Sequence, residues 1–158
     1  MEKILVSACL LGAPLRYDGA DNRCDHPLLD RWSGQGRLIE ICPETAGGLP
    51  TPRPPAERRG DRVVTARGDD LTEAFSRGAA AAVDLCRTHG IRLALLAARS
   101  PSCGNRMIYD GQFSGRLIPG AGVTAERLQA IGVRVFEPAQ IDELAATLNR
   151  LEAENAHA

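Results

Sequence analysis

An excess of one charge, long apolar runs and paired-cysteine knuckles are all missing from this chain of 158 residues. Its 19 Lys+Arg stand against 20 Asp+Glu for a net charge of −1. There is therefore no basic footprint for general nucleic-acid binding, and the balance suits a small neutral ligand. No stretch approaches the ~20 apolar residues of a membrane span. The opening Met1-Glu2-Lys3-Ile4-Leu5-Val6-Ser7-Ala8-Cys9 places small residues before a cysteine, as at a lipoprotein cleavage site. The apolar stretch ahead of it is shorter than the ~7–15 residues of a signal-peptide core. The expectation is a cytoplasmic chain with no membrane contact. Structural disulfides are not expected in a reducing compartment, so the five cysteines are read as metal ligands, reactive thiols or buried packing groups. No Cys-x-x-Cys pair is present, and such a pair is the usual source of two ligands in a structural zinc site. No whole unit repeats, although Arg16-Tyr17-Asp18-Gly19 and Ile108-Tyr109-Asp110-Gly111 echo each other as turn sequences.

What is present is ordinary for a globular protein, with 44% hydrophobic and 25% charged residues. Short apolar runs, Ile4 to Val6, Leu38 to Ile41, Ile91 to Ala97 and Val133 to Phe136, read as strands. Between the second and third, Asp70-Leu71-Thr72-Glu73 reads as a capping box. Leu71, Phe75, Gly78, Ala82, Leu85 and Cys86 then recur at helical spacing until Gly90, which predicts a helix over about 71–89 with Cys86 buried on its apolar stripe. Thr124 is expected to cap a short helix reaching Ile131. Ile141, Leu144, Ala145, Leu148 and Leu151 predict a final amphipathic helix whose last residues fray. The proline-rich stretch Cys42 to Pro55 reads as a stiff, extended loop. Strands alternating with helices argue for a parallel sheet covered on both faces. The expected fold is α/β: a single domain over residues 1–158, a three-layer Rossmann-like sandwich with a mainly parallel sheet.

The chemistry follows from where three cysteines fall. Cys9, Cys42 and Cys103 each lie just past an apolar run. If the runs are parallel strands of one sheet, the three thiols emerge at its carboxyl edge, where open α/β sheets place ligands. Soft thiolates favour zinc or an iron–sulfur cluster, and a cubane held by three of them leaves one iron open as a Lewis acid. Cys42-Pro43-Glu44 sets a carboxylate beside the second thiol on a rigid turn, and Ser100-Pro101-Ser102-Cys103-Gly104 sets two hydroxyls beside the third. Glu44 suits a general base or acid, with a serine orienting water or relaying its proton. Cys24-Asp25-His26 offers a further ligand of either type, but it lies in a polar loop where a lone Cys-x-His is more often incidental. Arg53, Arg58 and Arg59 read as surface charge and Trp32 as core. A mononuclear zinc hydrolase and a non-catalytic sulfide or cluster carrier are the competing readings.

Four stretches carry a family resemblance. They are Val6-Ser7-Ala8-Cys9-Leu10-Leu11-Gly12 with Arg16 to Gly19; Cys42-Pro43-Glu44 with Gly47 to Arg53; Ser100 to Gly104 with Ile108 to Gly111; and Gly120-Ala121-Gly122-Val123-Thr124-Ala125. In matching order from about Lys3 to Phe136, they resemble the bacterial family once catalogued as DUF523, whose characterised members are thiouracil desulfurases. The resemblance implies a four-iron, four-sulfur ([4Fe-4S]) cluster with three cysteine ligands, Cys9, Cys42 and Cys103, and one open iron. It puts Glu44 and Ser100 at the positions of the family's catalytic residues. It further implies an oxygen-sensitive enzyme that converts a small thiolated pyrimidine, such as 2-thiouracil, to uracil and sulfide without net redox change. This chain departs from the family pattern in having Ala97 where many members carry a lysine, and in Cys24, which is outside the motif.

Overall fold

The structure, a computed structural model, describes residues 1–157; the last residue of the expected domain, Ala158, lies outside the described residues. From the N-terminus, β1 (Ile4–Ser7) runs into a 3-10 turn (Ala8–Leu11), followed by α1 (Pro27–Gly34), β2 (Leu38–Ile41) and a single turn of helix, α2 (Pro43–Ala46). A hairpin of β3 (Ala56–Arg59) and β4 (Arg62–Thr65) precedes α3 (Thr72–His89) and β5 (Leu93–Leu95). A second hairpin, β6 (Met107–Tyr109) and β7 (Leu117–Pro119), leads to α4 (Val123–Ala130), β8 (Arg134–Phe136), a 3-10 turn (Pro138–Gln140) and α5 (Ile141–Ala156).

The central sheet has the order β2-β1-β5-β8 with every pair parallel, Ile4 standing opposite both Leu38 and Leu93, and Leu93 opposite Arg134. Ile4, Leu5 and Val6 are fully buried, which is why β1 reads as an unbroken apolar run instead of an alternation. The connection from β1 through α1 steps outward to β2, whereas those from β2 through α3 to β5 and on through α4 to β8 step the other way. Right-handed crossovers therefore put α1 on one face and α3 with α4 on the other, and α3 and α4 indeed pack against each other. The reversal falls between β1 and β5. At their carboxyl ends this topology opens a crevice, the usual ligand position of a doubly wound sheet. The fold is the expected α/β arrangement with a mainly parallel sheet flanked by helices, and Cys86 and Trp32 are buried as expected.

Several local expectations are corrected. The third and fourth parallel strands keep only three residues each. Both antiparallel hairpins escape a reading based on apolar runs, because Ala56–Arg59 is largely polar and Met107–Tyr109 is only three residues long. The capping box does not form: Leu71 holds the cap position without a side-chain bond, the Asp70 carboxylate accepts from the Thr72 amide at 2.9 Å, and Glu73 is exposed and pairs with Arg77. Thr124 is not a cap. Gly122 holds that position, and the first amides of α4, at Val123 and Thr124, donate to the carbonyls of Pro101 and Ser102 at 2.8 and 2.9 Å. Thr124 is instead fully buried, its hydroxyl 2.8 Å from that of Ser102. The last helix holds to Ala156, tied to the sheet by Glu152, which accepts from the Glu2 amide at 2.7 Å and from Arg37 at 2.5 Å. Nor is the stretch after Cys42 wholly extended, since Pro43 starts a helical turn there.

That turn is seated on α3 by backbone contact. A Cβ placed on Gly78 would lie 1.9 Å from the Pro43 carbonyl oxygen, and one on Gly47 would lie 2.0 Å from that of Ala74. Alanine in a helix interior is ordinarily worth ~1 kcal/mol over glycine, whereas overpacking against a rigid neighbour costs ~1–3 kcal/mol. Gly78→Ala is therefore expected to destabilise the protein by up to about 2 kcal/mol net, lowering Tm by up to about 8 °C in a calorimetric scan. An unchanged or raised Tm would show that α2 is free to move off α3.

Candidate active site

The crevice at the carboxyl ends of β1 and β5 holds a cavity of about 490 Å3, within the ~300–1,000 Å3 of small-molecule sites. Cys9, Cys42, Cys103, Glu44 and Ser100 all line it. Each arrives by a different route. Cys9 sits in the 3-10 turn directly after β1, Cys42 follows β2 and precedes the helical turn that carries Glu44, and Ser100 to Cys103 form the turn beyond β5. Cys24 and Cys86 are not on the cavity wall; Cys24 packs on the hydrophobic core and His26 caps α1, its Nδ1 accepting from the Leu28 amide at 3.1 Å.

All five cysteines are free thiols. Burial pushes the Cys103 thiol up to about 12, and burial is also the main cause that raises Cys9, partly offset by Asn22 Nδ2 donating to its sulfur at 3.6 Å. The Glu44 carboxylate adds a smaller push in the same direction on both thiols, an electrostatic sign of how closely the groups gather. Ser7 Oγ, in turn, donates to Cys103 Sγ at 3.7 Å and accepts from the Ala97 amide at 2.9 Å, which locks the ends of β1 and β5 together. Thr45 Oγ1 donates to Cys42 Sγ at 3.2 Å. Raised by burial, the Cys9 and Cys103 thiols stay protonated near neutral pH, so loading a soft metal there would release protons.

Among the described residues no three His, Cys, Asp or Glu side chains converge on the position of one metal ion. A tetrahedral zinc needs its sulfur ligands at about 2.3 Å from a single centre. Three separate soft thiols spread around one cavity without converging on a point fit a larger thiolate-bound group such as an iron–sulfur cluster better than a lone ion.

The hydroxyl of Ser100 accepts from the amides of Ser102 and Cys103, both at 3.0 Å. With its lone pairs occupied, its O–H is available to the cavity as a donor, and the two amides would stabilise charge developing on the oxygen. Glu44 is largely buried, with its side chain 19% exposed, and its Oε1 accepts from Arg53 Nε at 3.3 Å. The reading of Arg53 as surface charge is thus corrected: the guanidinium is 3% exposed and lines the cavity. The only hint in the sequence was its setting, Pro52-Arg53-Pro54, where a long charged side chain sits on a stretch too stiff to swing it freely into solvent. Arg58 and Arg59 are also engaged, Arg58 with Glu126 at 2.5 Å and Arg59 with the Gly111 carbonyl at 2.7 Å. The two echoing turns both reach the site, since Tyr17 and Tyr109 line the cavity, as does Asn22.

A model of the 2-thiouracil desulfurase family matches residues 4–140. The chain belongs to that family. A solved structure of a [4Fe-4S]-dependent thiouracil desulfidase, TudS, superimposes with a TM-score of 0.93 at 52% identity, covering 94% of this chain and 99% of that one. The Bacillus subtilis (strain 168) protein YbbK is 37% identical over 153 residues, which span 89% of this chain and 99% of that one. Family membership and the cavity thus meet on one site. Among the described residues no helix is long and apolar enough to cross a membrane.

Proposed function

We propose that the chain, acting as one domain over residues 1–158, hydrolyses the carbon–sulfur bond of 2-thiouracil or a related small thiolated pyrimidine, giving uracil and sulfide. In this reading Cys9, Cys42 and Cys103 hold a [4Fe-4S] cluster with one iron free of protein ligands, and a reducing compartment such as the cytoplasm keeps them as thiols. The observation that carries it is the meeting of three free thiols, Glu44 and Ser100 on one cavity in a chain of this family. When bound, the cluster supplies a Lewis acid for the thiocarbonyl sulfur and an acceptor for that sulfur as it leaves.

The protein side of the reaction is proton transfer. Glu44 takes a proton from a water whose oxygen forms the new bond to the ring carbon, and Ser100 donates a hydrogen bond that orients that water. The C–S bond breaks with its electron pair on sulfur, which leaves as sulfide. Water contributes oxygen and two protons, so no external electrons are needed. The neutral charge balance favours a free base or nucleoside over intact thiolated tRNA as substrate.

The test is anaerobic quantitation of iron and acid-labile sulfide, followed by sulfide release from a panel of thiolated pyrimidines. Coloured protein that turns over 2-thiouracil, and that loses colour and activity together in air, is the expected result. Full activity in a colourless, zinc-loaded protein would reject the cluster mechanism. A loaded cluster with no turnover of any thiolated pyrimidine would leave a carrier.

A further inference from the structure

We infer that Arg53 is a positioning residue for Glu44, holding its carboxylate at a set place on the cavity wall; this deepens the desulfurase reading and rests on it. A guanidinium has five N–H donors in a planar fork, and a buried one leaves an uncompensated cost for every donor without an acceptor. Nη1 donates to the Pro50 carbonyl at 3.1 Å and to Thr51 Oγ1 at 3.0 Å, and Nη2 to the Leu15 carbonyl at 2.9 Å. The Arg53 amide adds a fourth tie, to the Tyr17 carbonyl at 2.7 Å. These oxygens are neutral and belong to two loops. They set the plane of the fork without help from Glu44.

The charge remains to be matched. Among the described residues Glu44 is the only carboxylate paired with Arg53, and the pair is mostly buried, with side chains 3% and 19% exposed. Held from behind by carbonyls, the guanidinium presents Nε to Glu44 Oε1 alone and leaves Oε2 without a protein donor among the described residues. One carboxylate oxygen is thus anchored while the other is free for a water or substrate proton. A residue needed only to tie loops together would use the carbonyls and have no reason to spend its charge on this acid. A lysine in its place has no planar fork to take these acceptors together.

The experiment is a double-substitution cycle in the anaerobically reconstituted enzyme, with Arg53→Met and Arg53→Lys each made alone and in the Glu44→Gln background. Misplacement of a reacting group by an ångström can cost about 10²-fold, so Arg53→Met is expected to lower kcat by about that factor, with normal iron content and little change in KM. In the Glu44→Gln background the same substitution should cost less than about two-fold further, because the group Arg53 acts on is already gone. Arg53→Lys should recover part of the loss and carries the cycle if Arg53→Met does not fold. Melting of the cluster-free proteins supplies a readout without turnover: the Tm drop from losing Arg53 should be smaller when residue 44 no longer bears a charge. Equal kcat losses in both backgrounds, with additive Tm shifts, would reduce Arg53 to a loop tie and overturn the inference. Near-normal turnover in Glu44→Gln alone would overturn the assignment of Glu44 as base, and the melting cycle would still report whether the pair is coupled.

Discussion

Alanine in place of Cys42 or Cys103 is expected to abolish both cluster retention and turnover. Each substitution removes one of three thiols that reach the cavity from different parts of the chain, and no other cysteine lies on its wall to replace the loss. On the proposed ligation two thiolates would be left to hold a cubane without a fourth protein ligand, so iron per chain should fall towards zero, not by a fraction. Cys9→Ala should behave alike. The contrast is Cys86. Cys86 is 2% exposed, buried on α3 and away from the cavity wall, so it is a packing group and not a ligand. Cys86→Ala should keep iron, sulfide and visible absorbance and lose stability only, by about 1 kcal/mol. Cys24→Ala should also keep the cluster. Iron and acid-labile sulfide measured anaerobically decide the matter. A Cys42→Ala protein that keeps its cluster while Cys86→Ala loses it would refute the ligand assignment.

Glu44→Gln is expected to lower kcat by about 10²–10⁴-fold, the usual worth of a positioned general acid or base, at normal cluster content. Glutamine keeps the size of the side chain, and its carbonyl oxygen still accepts from Arg53 Nε, so the wall of the cavity should survive while proton transfer does not. Ser100→Ala separates two roles for the hydroxyl. If it only orients water, the loss should be smaller than that of Glu44→Gln; if it relays the proton, the two losses should match. Ser100→Ala also deprives the Ser102 and Cys103 amides of their acceptor, so iron content must be measured beside the rate. Near-normal turnover in Glu44→Gln would mean that another base acts.

The same residues show how far local reading reaches. The placement of Cys9 and Cys42 on the cavity was legible because each lies just past an apolar run that became a strand, and that of Glu44 because Pro43 stiffens its attachment to Cys42. Ser100 was legible through its setting beside Cys103. Arg53 was not, because a long side chain can point into solvent or protein, and the choice depends on acceptors at Leu15 and Glu44 that are distant in sequence. Thr124 was misread for a related reason. A threonine before a helix is usually a cap, but here carbonyls of the Cys103 turn occupy the amides that a cap would serve, and the hydroxyl is left to pair with Ser102. Neither hairpin is marked by an apolar alternation. The two are tied to each other across the fold, Glu57 accepting from the Gly111 and Phe113 amides at 3.0 and 3.1 Å.

By itself, then, the sequence determined the parallel α/β plan, the family and which cysteines, acid and serine stand just past the strands. Hydrophobic periodicity, cysteine type and short motifs are properties of neighbouring residues and survive without a fold. The tertiary structure decided the strand order β2-β1-β5-β8, and with it the switch point that brings the ends of β1 and β5 together around one cavity. It also decided that Gly78 must stay small, that the Cys42 turn rests on α3, and that a buried guanidinium stands behind Glu44. Those outcomes depend on which surfaces meet, on the space left between backbones and on the need to match a charge removed from water. None of these is a property of any one stretch of chain.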